Sequence, residues 1–263
     1  MISNSSHSEP LLVLQKVYKQ FGGLQAINNV GFAVQPGSIK AVIGPNGAGK
    51  TTLFNLIAGN MPVTSGTIIF QGQEIRGKKP YEIARMGMAR TFQNIKLFPG
   101  MTALECVMVG RHTQSRAGFW AGLFSLPWTW QEERAIRHRS MELLEMLAIA
   151  DLADVEVSGL AFGQQRAVEM ARALAAEPSL LLLDEPAAGL NIYETAEVAR
   201  LITTIRDMGI TVLLVEHDMS LVMDVSDEIV VLSFGSKVAE DTPPKIQKNA
   251  DVIKIYLGED GTA

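Results

Sequence analysis

A glycine-rich segment has the residue types and the spacing of a phosphate-binding loop. Residues 44–51 have the sequence GPNGAGKT, between the apolar run SIKAVIG and the helix-like stretch TTLFNLIAG. Gly44, Gly47 and Gly49 allow a tight turn with inward N–H groups, which together with a helix N-terminus can hold phosphate oxygens. Lys50 offers a charge to the β- and γ-phosphates, and Thr51 a hydroxyl to Mg²⁺. The segment predicts a nucleotide-binding protein; the alternative is a glycine-rich turn ahead of a helix.

A pair of carboxylates ends an apolar run later in the chain. LLLLDEP, residues 180–186, is typical of a buried parallel strand that ends at a catalytic edge. We expect Asp184 to bind Mg²⁺ through water and Glu185 to polarise an attacking water. Acidic residues often end strands, but beside a phosphate loop they complete what phosphoryl transfer needs: a cradle, a metal site and a group that orients the nucleophile.

Three further segments carry polar groups that could meet the phosphates. ITVLLVEHD ends a predicted strand with His217, which could hydrogen-bond the γ-phosphate and its attacking water, or be structural. Gln93 in ARTFQN could touch Mg²⁺ and act as a hinge, or be an ordinary solvated side chain. GLAFGQQRAVEMARAL begins with a turn and enters a helix, whose N-terminus offers N–H groups to an anion.

Composition narrows the class of protein. A chain of 263 residues with 47% apolar residues is large enough for one or two folded domains and is not a disordered protein. The formal net charge of −5 argues against a nucleic-acid partner. The apolar runs are too short to span a bilayer, and we expect MISNSSHSEP, which lacks a basic end and an apolar core, to be a frayed tail rather than a signal peptide. Cys106 is the single cysteine, so no internal disulfide can form.

The elements that must position these residues follow an α/β pattern interrupted by helix. Short β-like runs (LLVLQKV, VGFAV, SIKAVIG and GTIIFQG) precede residue 94. The β signal then disappears, and QEERAIRHRSMELLEMLAIADL places apolar residues at helical spacing. LLLLDEP, ITVLLVEHD and EIVVLSFG return as strands, with the helix-like ETAEVARLITTIRDMG between the first two. The pattern predicts an α/β core with a helical insertion.

Taken together, these segments resemble the ATP-binding cassette (ABC) family over nearly the whole chain. The resemblance matches Phe21 of KQFGG to the aromatic residue that stacks on adenine. It assigns ATP binding to Phe21, Gly44, Pro45, Asn46, Gly47, Ala48, Gly49, Lys50, Thr51 and Thr52. It assigns catalysis to Glu185, His217 and Gln93, and Mg²⁺ binding to Thr51, Gln93 and Asp184. ATP and Mg²⁺ are the implied cofactors.

The family signature, which acts on the nucleotide of a second subunit, corresponds here to Leu160, Ala161, Phe162, Gly163 and Gln164. Most members have Ser and Gly where Ala161 and Phe162 stand, so a hydroxyl contact to the γ-phosphate is missing. Asn191 replaces the usual acidic residue of the D-loop. The first departure bears on the strength of the closed dimer, and the second on communication between its two sites.

The resemblance implies an α/β P-loop NTPase (RecA-like) core with an antiparallel β subdomain and an inserted α-helical subdomain. We expect a single ABC domain, divided into a disordered tail at 1–10, an ATP-binding core at 11–93 and 177–245, a helical signature subdomain at 94–176 and a C-terminal tail at 246–263.

Within that family, the chain resembles the larger ATP-binding subunit of branched-chain amino acid importers. The segments that carry this resemblance are ARTFQNIKLFPGMTALECVMVGRH, FGQQR, DEPAAGLN, EHDM and DVIKIYLGE. This implies an ATPase that is peripheral at the cytoplasmic face of the inner membrane. Its partners would be a second ATP-binding subunit, identical or paralogous, two permeases and a periplasmic binding protein, with no nucleic acid. Related subunits serving other amino acids, amides or urea, a soluble ABC ATPase, and a non-catalytic regulatory cassette are the alternatives.

An aromatic stretch lies in the helical insertion. GFWAGLFSLPWTW contains all three tryptophans, Trp120, Trp128 and Trp130, together with Phe119 and Phe124. It could form a local core under a long loop. Alternatively it could lie against a cytoplasmic helix of the permease, because Trp and Phe are favoured where a partner removes water.

Overall fold

The structure of the protein is a computed structural model that describes residues 9–91, 93, 95–111 and 127–257. The side chains of residues 127–130 and 257 lie outside that description.

A mixed six-stranded sheet forms the centre of the molecule. Its strand order is β10-β9-β3-β8-β7-β6, with β10 antiparallel to β9 and the other neighbours parallel. The strands are β3 (Ile39–Ile43), β6 (Met88–Arg90), β7 (Leu180–Asp184), β8 (Thr211–Val215), β9 (Glu228–Ser233) and β10 (Ser236–Asp241). The three central strands β3, β7 and β8 are buried throughout, as expected for parallel strands covered on both faces.

A second, antiparallel sheet packs against one face of the first. Its order is β2-β1-β4-β5, formed by β1 (Leu12–Phe21), β2 (Leu24–Val34), β4 (Ser65–Phe70) and β5 (Gln73–Glu74). Apolar residues alternate along β1, and Leu12, Leu14 and Val17 face the core between the two sheets. The turn at Gly22 and Gly23 joins β1 and β2 and leaves Phe21 at the end of the hairpin.

Helices cover the two faces of the central sheet. They are α1 (Lys50–Ile57), α2 (Pro80–Arg85), α3 (Ala103–Arg111), α4 (Pro127–Met146), α5 (Phe162–Leu174), α6 (Ile192–Asp207), α7 (Met219–Val225), α8 (Pro243–Ile246) and α9 (Ala250–Leu257). Along β7, Leu181 and Leu183 face α3 to α7, whereas Leu180 and Leu182 face α1 and the antiparallel sheet. Because successive side chains of β7 point to opposite faces of the sheet, they pack into two different hydrophobic cores.

The predicted fold class is confirmed, including the antiparallel sheet and the helices between β6 and β7. The structure differs from the sequence expectation at the edges of elements. Strand β2 begins at Leu24, well before the predicted run VGFAV, and β6 is not among the predicted strand runs. The expected C-terminal tail carries α9, where Asn249 accepts hydrogen bonds from the N–H groups of Asp251 and Val252. The expected N-terminal tail lies mostly outside the described residues.

Among the described residues, none of the helices combines the length and apolar content required to cross a membrane.

Candidate nucleotide site

The phosphate loop lies between the end of β3 and the first turn of α1. Its conformation depends on glycine: Gly49 has a φ of 99° and caps α1, and a Cβ there would lie 2.7 Å from the Ala26 carbonyl oxygen. A side chain would be both strained and obstructed at this position. Lys50 is buried, and its Nζ donates to the carbonyl oxygens of Gly44 (2.6 Å) and Pro45 (3.1 Å). The loop thus holds its own lysine in place.

A cavity of about 420 Å³ opens over this loop. The phosphate-loop residues 46–52 line it together with Phe21, Leu24, Gln25, Ala26, Glu185, Phe234 and Gly235. The aromatic, cradle and carboxylate predicted from the sequence therefore share one cavity. Gly44 and Pro45, the first two residues of the loop, do not line the cavity; their carbonyl oxygens accept the hydrogen bonds from Lys50.

The two carboxylates at the end of β7 have different surroundings. Asp184 is buried, and its Oδ2 accepts a 2.7 Å hydrogen bond from Arg90, which also donates to Asn55 of α1. Glu185 is half-buried at the cavity wall, and its backbone N–H continues the sheet by donating to Val215. Its φ of 48° is unusual for a residue other than glycine, a strain that is typical of functional sites.

Gln93 connects Glu185 to the helix α5. Its Nε2 donates to Glu185 Oε2 at 2.6 Å, while its carbonyl oxygen accepts from Arg166 of α5 at 2.9 Å. Arg166 is fully buried and paired with the equally buried Glu169 at 2.8 Å. The Glu185 carboxylate, which is predicted to polarise water, is therefore connected through Gln93 and two hydrogen bonds to a buried ion pair in α5.

His217 follows β8 at the same edge of the sheet, and its side chain is exposed. Its position is set by Glu216, a fully buried carboxylate that accepts from the backbone N–H groups of Ala187 (2.8 Å), His217 (2.8 Å) and Asp218 (3.2 Å). Glu216 thereby joins the loop after Glu185 to the loop carrying His217. Neither His217 nor Gln93 lines the cavity itself.

The signature residues lie at the N-terminus of α5, and none of them lines the cavity of their own chain. Ala161 is the N-cap, its N–H donates to Gln164 Oε1, and it has no side-chain oxygen to accept from the first turn. The Phe162 ring rests 3.6 Å from the position a Cβ would take on Gly189. Leu160 is buried, and Gly163 faces the side chain of Glu194 in α6.

Asn191, which replaces the usual acidic D-loop residue, caps α6. Its Oδ1 accepts from the N–H groups of Tyr193 and Glu194, and its own N–H donates to Glu194 Oε2. Asparagine performs this cap as well as aspartate does. The departure therefore leaves the local structure of the D-loop intact.

Sequence reasoning missed Arg90, Glu216, Arg166 with Glu169, and Phe234. Arg90 ends β6 and Glu216 directly follows β8, the two strands that neighbour β7, and polar residues at the carboxyl ends of adjacent parallel strands meet at one edge. That signal could have found them. Of the aromatic stretch, Phe119, Trp120 and Phe124 lie outside the described residues, as do the side chains of Trp128 and Trp130.

Comparison with known proteins decides the family. The sequence profile of the ABC transporter family matches residues 27–188, more than half of the chain. The chain belongs to this family. A second profile, for the branched-chain amino acid ATP-binding cassette transporter, matches residues 236–262 of this cassette.

The cassette is 45% identical over 253 residues to the high-affinity branched-chain amino acid transport ATP-binding protein BraF of Pseudomonas aeruginosa, covering 96% of this chain and 99% of BraF. It resembles a crystal structure of the ADP conformation of an ABC transporter cassette, with a TM-score of 0.82, 30% identity and coverage of 95% and 100% of the two chains. It also resembles a cassette in a dimeric, post-hydrolysis state bound to ADP and Pi, with a TM-score of 0.73, 25% identity and coverage of 88% and 98%.

Proposed function

We propose that this cassette is the ATP-hydrolysing subunit of a membrane importer for branched-chain amino acids. The observation that carries the hydrolytic part is the position of Glu185, which shares one cavity with the phosphate loop. A carboxylate at that wall can polarise a water beside the last phosphate of a nucleotide held by the loop.

Nucleotide binding follows from the loop and the wall. The backbone N–H groups of residues 46–52 and the start of α1 offer donors to phosphate oxygens, and Lys50 adds a positive charge. Phe21 lines the same cavity and is 44% exposed, so its ring is accessible to a purine base. Stacking on such a ring contributes about 1–3 kcal/mol.

The residues also suit Mg²⁺. Thr51 lines the cavity, and Asp184 ends β7 directly before Glu185, which lines the same cavity. The Thr51 hydroxyl and the Asp184 carboxylate, whose Oδ2 is bound by Arg90, supply the oxygen ligands that a hard cation prefers. We assign Thr51, Asp184 and Gln93 to this site. Bound there, Mg²⁺ would neutralise phosphate charge.

Three side chains would then prepare the hydrolytic step. Glu185 orients and polarises the water, and the Gln93 amide that contacts it fixes the direction of the carboxylate. His217 would approach the γ-phosphate from the loop anchored by Glu216. Because His217 and Gln93 stand outside the cavity wall, we propose that they close on the nucleotide only when the site is completed.

A second subunit would complete the site. The signature residues 160–164 lie at the N-terminus of α5 and do not line the cavity of their own chain, and a helix N-terminus is suited to a phosphate. We propose a head-to-tail dimer with an identical or a paralogous cassette, in which the helical segment 94–176 moves relative to the core at 11–93 and 177–245. Opening and closing would move two attached permeases between inward- and outward-facing states.

The proposals for the transported substrate and for the cellular location rest on similarity to known proteins. BraF is named for branched-chain amino acid transport, and the C-terminal profile carries the same substrate in its name. We propose that the cassette lies at the cytoplasmic face of the membrane with two permeases and a periplasmic binding protein. Cassettes serving other amino acids, amides or urea are the second candidate, since the cargo does not touch this subunit.

The test is uptake in a strain from which the gene has been deleted. Uptake of labelled leucine, isoleucine and valine should fall and should return with the wild-type gene, but not with Lys50→Ala or Glu185→Gln. Labelled urea and glutamate are the controls for cargo. Normal uptake of all three branched-chain amino acids in the deletion strain would contradict the cargo assignment. ATP hydrolysis by purified Lys50→Ala at the wild-type rate would contradict the site assignment.

A further inference from the structure

An aromatic residue stands at the tip of the β9–β10 hairpin in a conformation that disfavours it. Ser233 pairs with Ser236, so Phe234 and Gly235 form a two-residue turn, and their φ values are 44° and 75°. Two positive φ values define a type I′ turn, whose first position normally takes Asn, Asp or Gly. Phe234 is also 90% exposed. A bulky side chain here is strained and leaves apolar surface in water.

The turn is fixed to the nucleotide loop. The N–H of Gly235 donates to the carbonyl oxygen of Ala48 at 3.1 Å, and its carbonyl oxygen accepts from the N–H of Asn28 at 2.8 Å. A Cβ on Gly235 would lie 2.6 Å from the Ala26 carbonyl oxygen, so the contact with β2 is close. The backbone that carries Phe234 is therefore held between β2 and the phosphate loop.

Phe234 lines the same cavity as the phosphate loop and Phe21. Part of its exposed surface therefore borders the nucleotide cavity. We infer that Phe234 is a second aromatic contact for the nucleotide. Phe21 stacks on the base, and Phe234 contacts the same base or the ribose attached to it. This rests on the proposed nucleotide-binding function and adds to it a binding residue outside the family motifs.

The chemistry favours the base as the occupant. A purine has two apolar π faces and can contact two rings, and each base–aromatic contact changes affinity by about 1–3 kcal/mol, which is roughly fivefold or more. The triphosphate has no such surface. A contribution from Phe234 should therefore appear with ligands that carry a base and be absent with phosphates alone.

The first test is Phe234→Asn, which removes the ring and places in the turn a residue that tolerates positive φ. Binding of ADP and of inorganic tripolyphosphate is measured by isothermal titration calorimetry, with the melting temperature recorded for each protein. We expect ADP affinity to fall at least about fivefold, with tripolyphosphate affinity and the melting temperature maintained. The control is Tyr81→Ala, because Tyr81 is an exposed aromatic that does not line the cavity.

The second test is Phe234→Trp, which places a fluorophore at the contact. The native tryptophans are confined to positions 120, 128 and 130, so wild-type protein provides the background signal. Addition of ADP should change the emission of the variant beyond that background, and tripolyphosphate should not.

Unchanged ADP affinity in Phe234→Asn would overturn the inference, as would an equal loss of ADP and tripolyphosphate affinity, which would indicate a disturbed phosphate loop. Altered self-association with normal ADP affinity would also overturn it, since the ring would then serve a second copy of the chain. If the wild-type protein bound neither ADP nor tripolyphosphate, the proposed nucleotide-binding function would be wrong, and the inference about Phe234 would be wrong with it.

Discussion

At the scale of single residues, Ala161 is the position where a small change tests the altered signature. It is the N-cap of α5 and accepts no hydrogen bond through its side chain. Ala161→Ser should stabilise the protein without nucleotide by about 1 kcal/mol, because a serine oxygen can accept an N–H of the first turn. If the same hydroxyl reaches the γ-phosphate of a second subunit, ATP-induced dimerisation should tighten by up to about 3 kcal/mol.

The two effects are separated by two measurements. Thermal unfolding without nucleotide reports the cap, and sedimentation with ATP and Mg²⁺ reports the intersubunit contact. If Ala161→Ser raises the melting temperature but leaves the dimerisation constant unchanged, the idea that Ala161 weakens the dimer by lacking a hydroxyl contact to the γ-phosphate is rejected. The Phe162 ring, packed beside Gly189, would then be the feature that sets the distance of the signature from its target.

Prediction from sequence reaches residues in motifs of fixed spacing and does not reach groups whose role depends on neighbours in space. The phosphate loop and the DEP segment with Glu185 each follow an apolar strand run, so sequence alone singles them out; the structure places residues 46–52 and Glu185 on one cavity, and their roles stay predictions. Glu216 was missed because its role comes from accepting N–H groups of two loops. Phe234 was missed because the fold, rather than spacing, brings its turn to the phosphate loop.

At the scale of elements, α5 is tied to the segment after β6 in two places. Arg166 donates to the Gln93 carbonyl, and Arg172, farther along the helix, donates to the Lys96 carbonyl. The Arg172 guanidinium also lies 5.8 Å from the centre of the Phe98 ring. These contacts connect α5 to Gln93 and, through the Gln93 side chain, to Glu185.

The buried pair of Arg166 and Glu169 makes this connection testable. Glu169→Gln should destabilise the protein by about 3–5 kcal/mol, because the Arg166 charge would stay buried without its carboxylate. Replacing both residues with methionine should restore stability, since an apolar pair of similar volume is often neutral. It should nevertheless lower kcat at least about tenfold, because Gln93 loses its anchor and Glu185 its orientation.

Urea unfolding, nucleotide affinity and steady-state ATPase kinetics are the measurements for this pair. Normal nucleotide affinity with reduced kcat is the expected combination for a positioning role. A double-methionine protein with wild-type kcat would show that the pair serves stability alone.

Elements were predicted best where periodicity is strong and worst at their ends. The helix α4 was expected from its apolar spacing, and Leu143, Leu144 and Leu147 of that pattern are buried. Strand β6 has only three residues and ends in Arg90, so no alternation could reveal it; pairing with β7 creates it. The first half of β2 mixes polar and apolar residues without alternation and is mostly exposed, and it is a strand because β1 pairs with it.

At the scale of the whole molecule, the central sheet contains a buried lysine that links three strands. Lys40 of β3 is 2% exposed and contacts Glu228 of β9 at 2.8 Å and Glu240 of β10 at 2.6 Å. Burial raises the pKa of the Glu240 carboxyl, but the hydrogen bonds from Lys237 and Lys40 lower it by more, so the net shift is downward. The folded state therefore favours the ionised carboxylate.

The sign of the pH dependence follows from that shift. Glu240 adds stability above its unfolded pKa, and the contribution is lost as pH falls below about 4.5 through the lower folded value. Glu240→Gln should cost about 1–3 kcal/mol at neutral pH and little in acid. Urea unfolding at several pH values measures this, with Glu197→Gln as the exposed control, whose effect should stay below about 0.5 kcal/mol. A constant deficit for Glu240→Gln at every pH would contradict the ionic explanation.

The largest unit to be tested is the dimer. Glu185→Gln keeps the shape of the side chain and its contact with Gln93 but removes the carboxylate that polarises water. ATP should then bind, remain intact and hold two cassettes together, because the proposed dimer opens only after hydrolysis. Gel filtration with ATP and Mg²⁺ should show a dimer, whereas the same protein without nucleotide, and Lys50→Ala with it, should stay monomeric. Adding Ala161→Ser to Glu185→Gln compensates for a weak signature contact. If that double variant binds ATP and still elutes as a monomer at high concentration, two identical cassettes do not form the hydrolytic unit, and the partner must be a paralogous subunit.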